Sequence, residues 1–254
     1  MNKQLLASVI TVSFNSEKTI EATIKSVLNQ NTTDFEYIII DGNSTDTTVE
    51  IIKSYQEKFG EKGIIYKWIS EPDKGIYDAF NKGVEKAKGQ WISFLGSDDM
   101  YLENALNHYF EALNTVSETT DFVHSNVSLA NRKLFSGKWK WSEFKRRMTI
   151  PHVGAFHNKN YFEKYGLFDT SYKIAGDYEV LLRAKEKLET YWMDKTTVLM
   201  SDGGVSNLQI KNTYLETTRA KIASGGVSVF IAKFDYYTWM FKGWVKKMIY
   251  AIIG

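Results

Sequence analysis

WISFLGSDDM, residues Trp91 to Met100, runs from an apolar segment straight into two adjacent carboxylates. Trp91 to Leu95 reads as a buried strand, with Asp98 and Asp99 at its carboxyl end. A hard divalent cation such as Mg²⁺ or Mn²⁺ takes oxygen ligands, commonly one or two carboxylates together with the oxygens of a substrate diphosphate. Paired acids at a strand end therefore point to a cation site. The competing reading is a surface turn in which Asp98 or Asp99 caps a helix beginning near Leu102.

Upstream of this stretch, strand-like and helix-like segments alternate. Leu6–Phe14 reads as strand, Thr19–Leu28 as helix, Tyr37–Ile40 as strand ending at Asp41, Thr47–Phe59 as helix, Ile64–Ile69 as strand and Ile76–Ala87 as helix. Such alternation marks parallel strands joined by crossover helices. An α/β class follows, with a Rossmann-like nucleotide-binding half over residues 1–100 and a mostly parallel sheet. Ligands of open sheets sit beyond the carboxyl ends of the strands, where Asn15, Asp41 and Asp98-Asp99 all fall.

Downstream the pattern is less regular. A helix Leu102–Leu113, a strand Phe122–Val127, a hairpin partner Lys133–Phe135, a helix Tyr178–Lys187 and two strands near Tyr191 and Val198 form an acceptor-side half over 101–207. Residues 208–254 read as a helical extension. On a helical wheel from Phe230 to Ile252, Phe230, Phe234, Tyr237, Phe241, Trp244, Val245, Met248, Ile249 and Ile252 gather on one arc, with Asp235, Lys242 and Lys246 opposite. An amphipathic helix of this kind suits a bilayer interface; docking on the domain or pairing with another chain leaves the same pattern.

Composition narrows the partners. The chain has 254 residues, 43% hydrophobic, and Lys+Arg 32 against Asp+Glu 30 leaves a net charge of +2, so no global basic field argues for nucleic acid. The absence of cysteine excludes disulfides, thiolate metal sites and a cysteine nucleophile. Ser8, Thr11 and Ser13 interrupt the apolar start at strand-like intervals, which reads as a first core strand and not a signal peptide. No run reaches the ~18 apolar residues of a membrane-spanning helix.

Four segments occur in order from Ala7 to Ala184: SVITVSFNSEKTIEATIKSVLNQ, FEYIIIDGNSTD, SEPDKGIYDAFNKGVEKAKGQWISFLGSDD and FDTSYKIAGDYEVLLRA. Together they resemble glycosyltransferase family 2, inverting enzymes of GT-A fold that use nucleotide-diphosphate sugars; the EPDKGIYDA-like segment resembles the bacterial polysaccharide and O-antigen type. The resemblance implies that Ser13 and Asn15 offer hydrogen bonds to the base end of the donor, and that Asp41 accepts from a uracil N–H or a ribose hydroxyl. Many relatives carry a second acid where this chain has Gly42. Asp73 and Lys74 precede Gly75, and the amino end of the following helix favours phosphate; Asp78 shares a helical face with Asn81 and Lys82, as donor contacts or as a solvated ion pair. Ser97-Asp98-Asp99 corresponds to the family's metal motif, with Asp99 the direct ligand and Asp98 on ribose or a metal-bound water.

Inverting transfer also needs a base for the acceptor hydroxyl, and Asp177 matches the catalytic acid of relatives, with Glu179 as second choice; an ordinary N-cap is the alternative. Pro151 and His152 are expected as a strut beneath the acceptor or diphosphate. His152 and His157, five apart, lack the helical spacing of a zinc pair. Trp139 and Trp141 stand as acceptor contacts or as packing, and the glycines near Gly203-Gly204-Val205-Ser206 are no phosphate-cradling motif. The expected enzyme is a Mn²⁺- or Mg²⁺-dependent transferase moving a sugar from a UDP-sugar to a lipid-linked or glycan acceptor at the cytoplasmic face of the cell membrane, in surface polysaccharide synthesis. Its rivals are a nucleotidyltransferase and a non-catalytic sugar- or partner-binding module.

Overall fold

Unbroken apolar runs produce the strands that carry the site. The computed structural model describes residues 5–130, 134–201 and 209–253. β1 (Ala7–Ser13), α1 (Ile20–Leu28), β2 (Phe35–Asp41), α2 (Thr48–Ser54), α3 (Gln56–Glu61), β3 (Ile65–Ser70), α4 (Ile76–Lys86) and β4 (Trp91–Gly96) alternate through the first half. Every residue of β1 and β2 is buried, because helices cover both faces of a parallel sheet. Successive side chains point to opposite faces: Ala7 and Val9 meet Ile20, Ile24 and Val27 of α1, whereas Ile10 and Val12 meet Tyr77, Phe80 and Val84 of α4.

β1 pairs in parallel with both β2 and β4, and β2 with β3, giving the order β3-β2-β1-β4. The direction of strand succession reverses at β1, so the crevice beyond β1 and β4 is the ligand position of such a sheet.

β5 (Met100–Tyr101), α5 (Ala105–Leu113), β6 (Phe122–Leu129), β7 (Leu134–Phe135), α6 (Trp141–Phe144), β8 (Phe156–Asn158), α7 (Lys159–Tyr165), α8 (Gly176–Leu182) and β9 (Thr190–Met200) continue the chain. The sheet extends as β4-β8-β6-β9-β5, with β7 on β6. Its antiparallel pairings are two or three residues long, while β6 and β9 run parallel along most of their length, so the sheet is mostly parallel as expected. α9 (Ile210–Ala223) and α10 (Val229–Ile253) follow.

Several expectations change. The helix over Thr47–Phe59 is two, α2 and α3, turning at Tyr55, whose hydroxyl donates to Glu21 of α1 at 2.9 Å. The strands near Tyr191 and Val198 are one: opposite β6, the register of β9 jumps from His124↔Trp192 to Asn126↔Thr196 and then to Val127↔Val198. Extra residues of this kind interrupt the alternation by which a strand is read. Lys133, Gly203–Ser206 and the side chains of Lys242, Trp244, Lys246, Ile249 and Ile252 lie outside the described residues.

α10 docks by the side that carries Ala232 and Asp235, both buried. Asp235 is buried, accepting from Arg146 Nε at 2.8 Å and from Lys221 Nζ at 3.1 Å, while Phe230, Phe234, Tyr237 and Phe241 remain 57–80% exposed. Among the described residues, the aromatic face of the helix is therefore turned away from the domain.

Candidate active site

β4 ends in a turn in which the Asp99 amide donates to the Gly96 carbonyl at 3.2 Å. A methyl on Gly96 would lie 2.6 Å from Asp99 Oδ2 and 3.0 Å from Asp98 Oδ1, so both carboxylates fold back over one bare Cα. Asp99 is 8% exposed. Its Oδ1 accepts the Ser201 amide at 3.0 Å, and the Ser201 hydroxyl donates to Asp98, tying the end of β9 to the pair. Burial, with Asp98 beside it, pushes the Asp99 carboxyl up to about 7, the behaviour of like charges held together. A convergent pair of hard oxygen ligands fits Mg²⁺ or Mn²⁺. No group of three or more His, Cys, Asp or Glu residues is gathered for a metal among the described residues, so protein ligation would rest on Asp98 and Asp99, leaving positions for water and phosphate. The helix-cap alternative fails, because α5 opens at Ala105 behind Asn104 and its Leu106 amide is taken by the Gln30 side chain at 3.0 Å.

Ser97 approaches Ser16 across the β1/β4 crevice, Oγ to Oγ 3.0 Å. At the end of β1, Asn15 adopts a left-handed backbone (φ 48°) and its Oδ1 accepts the Thr45 amide at 2.9 Å. Asp41 is fully buried, and its carboxylate accepts Ser13 Oγ at 2.9 Å, the Ser44 amide at 2.9 Å and Ser70 Oγ at 2.7 Å. These bonds are internal: they fix the turn after β2. The surface above that turn belongs to two other groups. A methyl on Gly42 would lie 2.5 Å from Asp73 Oδ2 and 3.4 Å from the ring of Phe14, which is 62% exposed. Asp73 thus fills the space a side chain at position 42 would take. Phe14 was missed because an apolar residue closing a strand pattern carries no sign of exposure.

The Ser70–Asp78 loop is braced by its own acids. Asp73 accepts the Gly75 amide at 2.8 Å, and Asp78 the Lys74 amide at 3.0 Å. Lys82 donates to the Pro72 carbonyl at 2.8 Å and pairs with Glu71 at 2.9 Å, with Asp78 farther away at 3.8 Å. The Lys74 side chain is exposed, and its carbonyl accepts from Lys173.

Asp177 stands in the first turn of α8, behind Ala175, which occupies the cap position. It is not the cap. Its Oδ1 accepts the Tyr178 amide at 2.8 Å and lies 3.4 Å from the Tyr77 hydroxyl. Burial raises its carboxyl to about 6, near the range in which a general base operates. Asp177 lines a cavity of about 380 Å³ with Pro151, His152, Arg147, Tyr214 and Trp239, and the wall reaches Met200, the neighbour of Ser201. One wall of the cavity is therefore adjacent in sequence to Ser201, which hydrogen-bonds the Asp98-Asp99 pair.

Glu179 points elsewhere, paired with Arg183 at 2.6 Å and accepting from Ser224. His152 and His157 share a 3.0 Å Nε2–Nε2 hydrogen bond between Phe94 and Phe122, and burial lowers both, His152 to about 3. Trp139 and Trp141 pack against the core beside α8 and do not line the cavity.

With this geometry in place, the family model for glycosyl transferase family 2 matches residues 8–177, from β1 to Asp177 itself. The chain belongs to glycosyltransferase family 2. A family relative from Mycobacterium bovis, a PGL/p-HBAD biosynthesis glycosyltransferase, is 28% identical over 213 residues, covering 82% of each chain. A shorter match, 40% identical over 110 residues and covering 43% of this chain and 42% of the relative, is to Bacillus subtilis TuaG, whose name assigns it provisionally to teichuronic acid biosynthesis. Among solved structures, S. aureus TarS aligns with a TM-score of 0.67 at 18% identity, over 89% of this chain and 41% of TarS. TarS residues 1–349, in complex with UDP-GlcNAc, align at the same score over 91% of this chain and 70% of that one, 17% identical. The mannosyltransferase PcManGT from Pyrobaculum calidifontis, in complex with GDP-Man and Mn²⁺, aligns at 0.65 over 84% of this chain and 62% of that one, 14% identical. These likenesses establish the GT-A fold, and in this family 2 glycosyltransferase α9 and α10 follow the residues matched by the family model.

Proposed function

We propose that this enzyme transfers a sugar, with inversion, from a UDP-sugar to a hydroxyl of a lipid-linked or glycan acceptor in surface polysaccharide synthesis. The observation that supports the reading is the cavity lined by Asp177 and by Met200, the residue next to Ser201, which hydrogen-bonds both Asp98 and Asp99. The donor's base rests over the turn that Asp41 holds, between the exposed ring of Phe14 and the carboxylate of Asp73, with Ser13 and Asn15 at the carboxyl end of β1. Lys74 and the amino end of α4 face the phosphates. Asp99 and Asp98 would hold Mn²⁺ or Mg²⁺, which would supply positive charge to balance the departing diphosphate. Asp177 takes the proton of the acceptor hydroxyl as it attacks the anomeric carbon, and the diphosphate leaves from the opposite side, so an α-linked donor gives a β bond.

No helix among the described residues is long and apolar enough to cross a membrane. The outward aromatic face of α10, with exposed Lys233 among Phe230, Phe234 and Tyr237, lies on the bilayer interface at the cytoplasmic side, where aromatic and basic groups partition together. Its inner side supplies Tyr236 and Trp239 to the cavity, so a lipid-borne acceptor enters from that surface.

Incubation with a panel of nucleotide sugars and Mn²⁺, with and without EDTA, and measurement of free nucleoside diphosphate tests the assignment. Release of UDP that EDTA abolishes is expected. Pyrophosphate release from a nucleoside triphosphate would favour a nucleotidyltransferase, and binding without turnover of any donor would favour a binding module.

A further inference from the structure

The segment that presents Asp177 is held from two sides. Glu216 of α9, beyond the family match, turns its carboxylate onto the chain entering α8. Its Oε2 accepts the amides of Ile174 at 2.8 Å and Ala175 at 3.0 Å, and the Lys173 amide lies 3.0 Å from both oxygens. Helix starts leave amides without intrahelical partners, and Ala175 at the cap position offers no side-chain acceptor. A carboxylate from another element meets that need, through charge-assisted bonds about twice as strong as neutral ones. From the other side, the Tyr77 hydroxyl donates to the Ile174 carbonyl at 2.7 Å, and its ring packs where a methyl on Gly176 would come within 2.8 Å. Asp177 is the next residue. α9 meets the same stretch at two further points, with the Arg219 guanidinium 4.1 Å over the Tyr172 ring and Ser224 bonded to Glu179.

We propose that Glu216 is a positioning residue for the general base: it clamps Lys173–Ala175 so that Asp177 is aimed into the acceptor cavity, which makes α9 part of the catalytic unit. The inference rests on the reading of Asp177 as base. Glu216 also bears on the titration of Asp177, since its negative charge adds to burial in raising that carboxyl. The other titratable or charged groups facing Asp177 or its cavity are Tyr77 from α4, Tyr178 from α8, Tyr214 and Lys221 from α9, Arg146 and Arg147 after α6, His152 before β8 and Tyr236 from α10.

The test compares wild type, Glu216→Gln, Asp177→Asn and the double variant. The probe is whichever of UDP-glucose, UDP-galactose, UDP-GlcNAc or GDP-mannose releases most diphosphate with Mn²⁺, and amide hydrogen exchange over 170–178 is followed in parallel. Gln at 216 keeps the shape but loses the charge and one acceptor oxygen. Expected are faster exchange at Lys173–Ala175, a kcat lowered by about 10- to 100-fold, the scale on which misplacement by about an ångström acts, an unchanged donor KM, and an acidic limb of the kcat profile moved to lower pH. A merely structural role would lower amplitude without moving that limb. In the Asp177→Asn background the Gln substitution should cost nothing further. Unchanged exchange, with kcat and acidic limb as in wild type, would overturn the clamp. Asp177→Asn with full turnover would overturn the base assignment instead, while the exchange data still judge the clamp.

Discussion

Asp99 sits where its carboxylate is costly to the fold. It is buried beside a second carboxylate, and burial together with that neighbouring charge raises its proton affinity. Asp99→Asn relieves that repulsion and can still accept the Ser201 amide, so its melting temperature should equal or exceed that of wild type without added metal. Diphosphate release should fall by about 100-fold or more, as loss of a group that balances transition-state charge does. Asp177 gives the pH dependence. Its folded carboxyl, raised to about 6, must be ionised to accept a proton, so kcat should rise with pH through about 6 and level above it. The stability sign is opposite: a carboxyl raised on folding favours the folded state where it is protonated, and that contribution is lost as pH rises from the unfolded value towards 6. At the donor end, Gly42→Ala forces its methyl to within 2.5 Å of Asp73 Oδ2. Displacement of that carboxylate should raise the donor KM more than it lowers kcat. The Asp98-Asp99 motif was legible because acids after an apolar run are conspicuous; that Asp41 is consumed by Ser13, Ser44 and Ser70, leaving the surface to Phe14 and Asp73, depends on three loops meeting, which spacing along one chain does not encode.

Elements show the same division. β1, β2 and β4 were readable because strands covered on both faces are continuously apolar, and α1 and α4 because their buried residues recur at helical spacing. β8 has three residues and α6 four, too few to display a period, and the bulged β9 scatters its own. α4 lies so close to β1 that a methyl on Gly83 would come within 2.6 Å of Ile10 Cγ2. Gly83→Ala should therefore destabilise the domain by about 1–3 kcal/mol through overpacking, despite the better helix propensity of alanine; chemical denaturation measures this directly.

For the molecule as a whole, the tail is where placement separates readings that one pattern leaves open. The wheel of α10 shows an apolar arc that suits a bilayer interface, docking on the domain or pairing with another chain. Asp235 decides against docking by that arc: Lys221 is buried and Arg146 lies nearby, and an unpaired buried charge is costly enough to dictate which side of the helix docks. Removing Asp235 should destabilise by about 3–5 kcal/mol, whereas Phe234→Glu on the outer face should leave diphosphate release in solution unaltered and reduce cosedimentation with anionic phospholipid vesicles. By itself, the sequence determined the parallel half-sheet, its crevice and the acids at the strand ends, because burial on both faces and polar residues at strand termini are local properties that a linear pattern preserves. Only the tertiary structure decided which acids are taken up by serine hydroxyls, how Asp177 is held and which face of the last helix looks outward, because each of those depends on a hydrogen-bond partner or charge supplied from dozens of residues away.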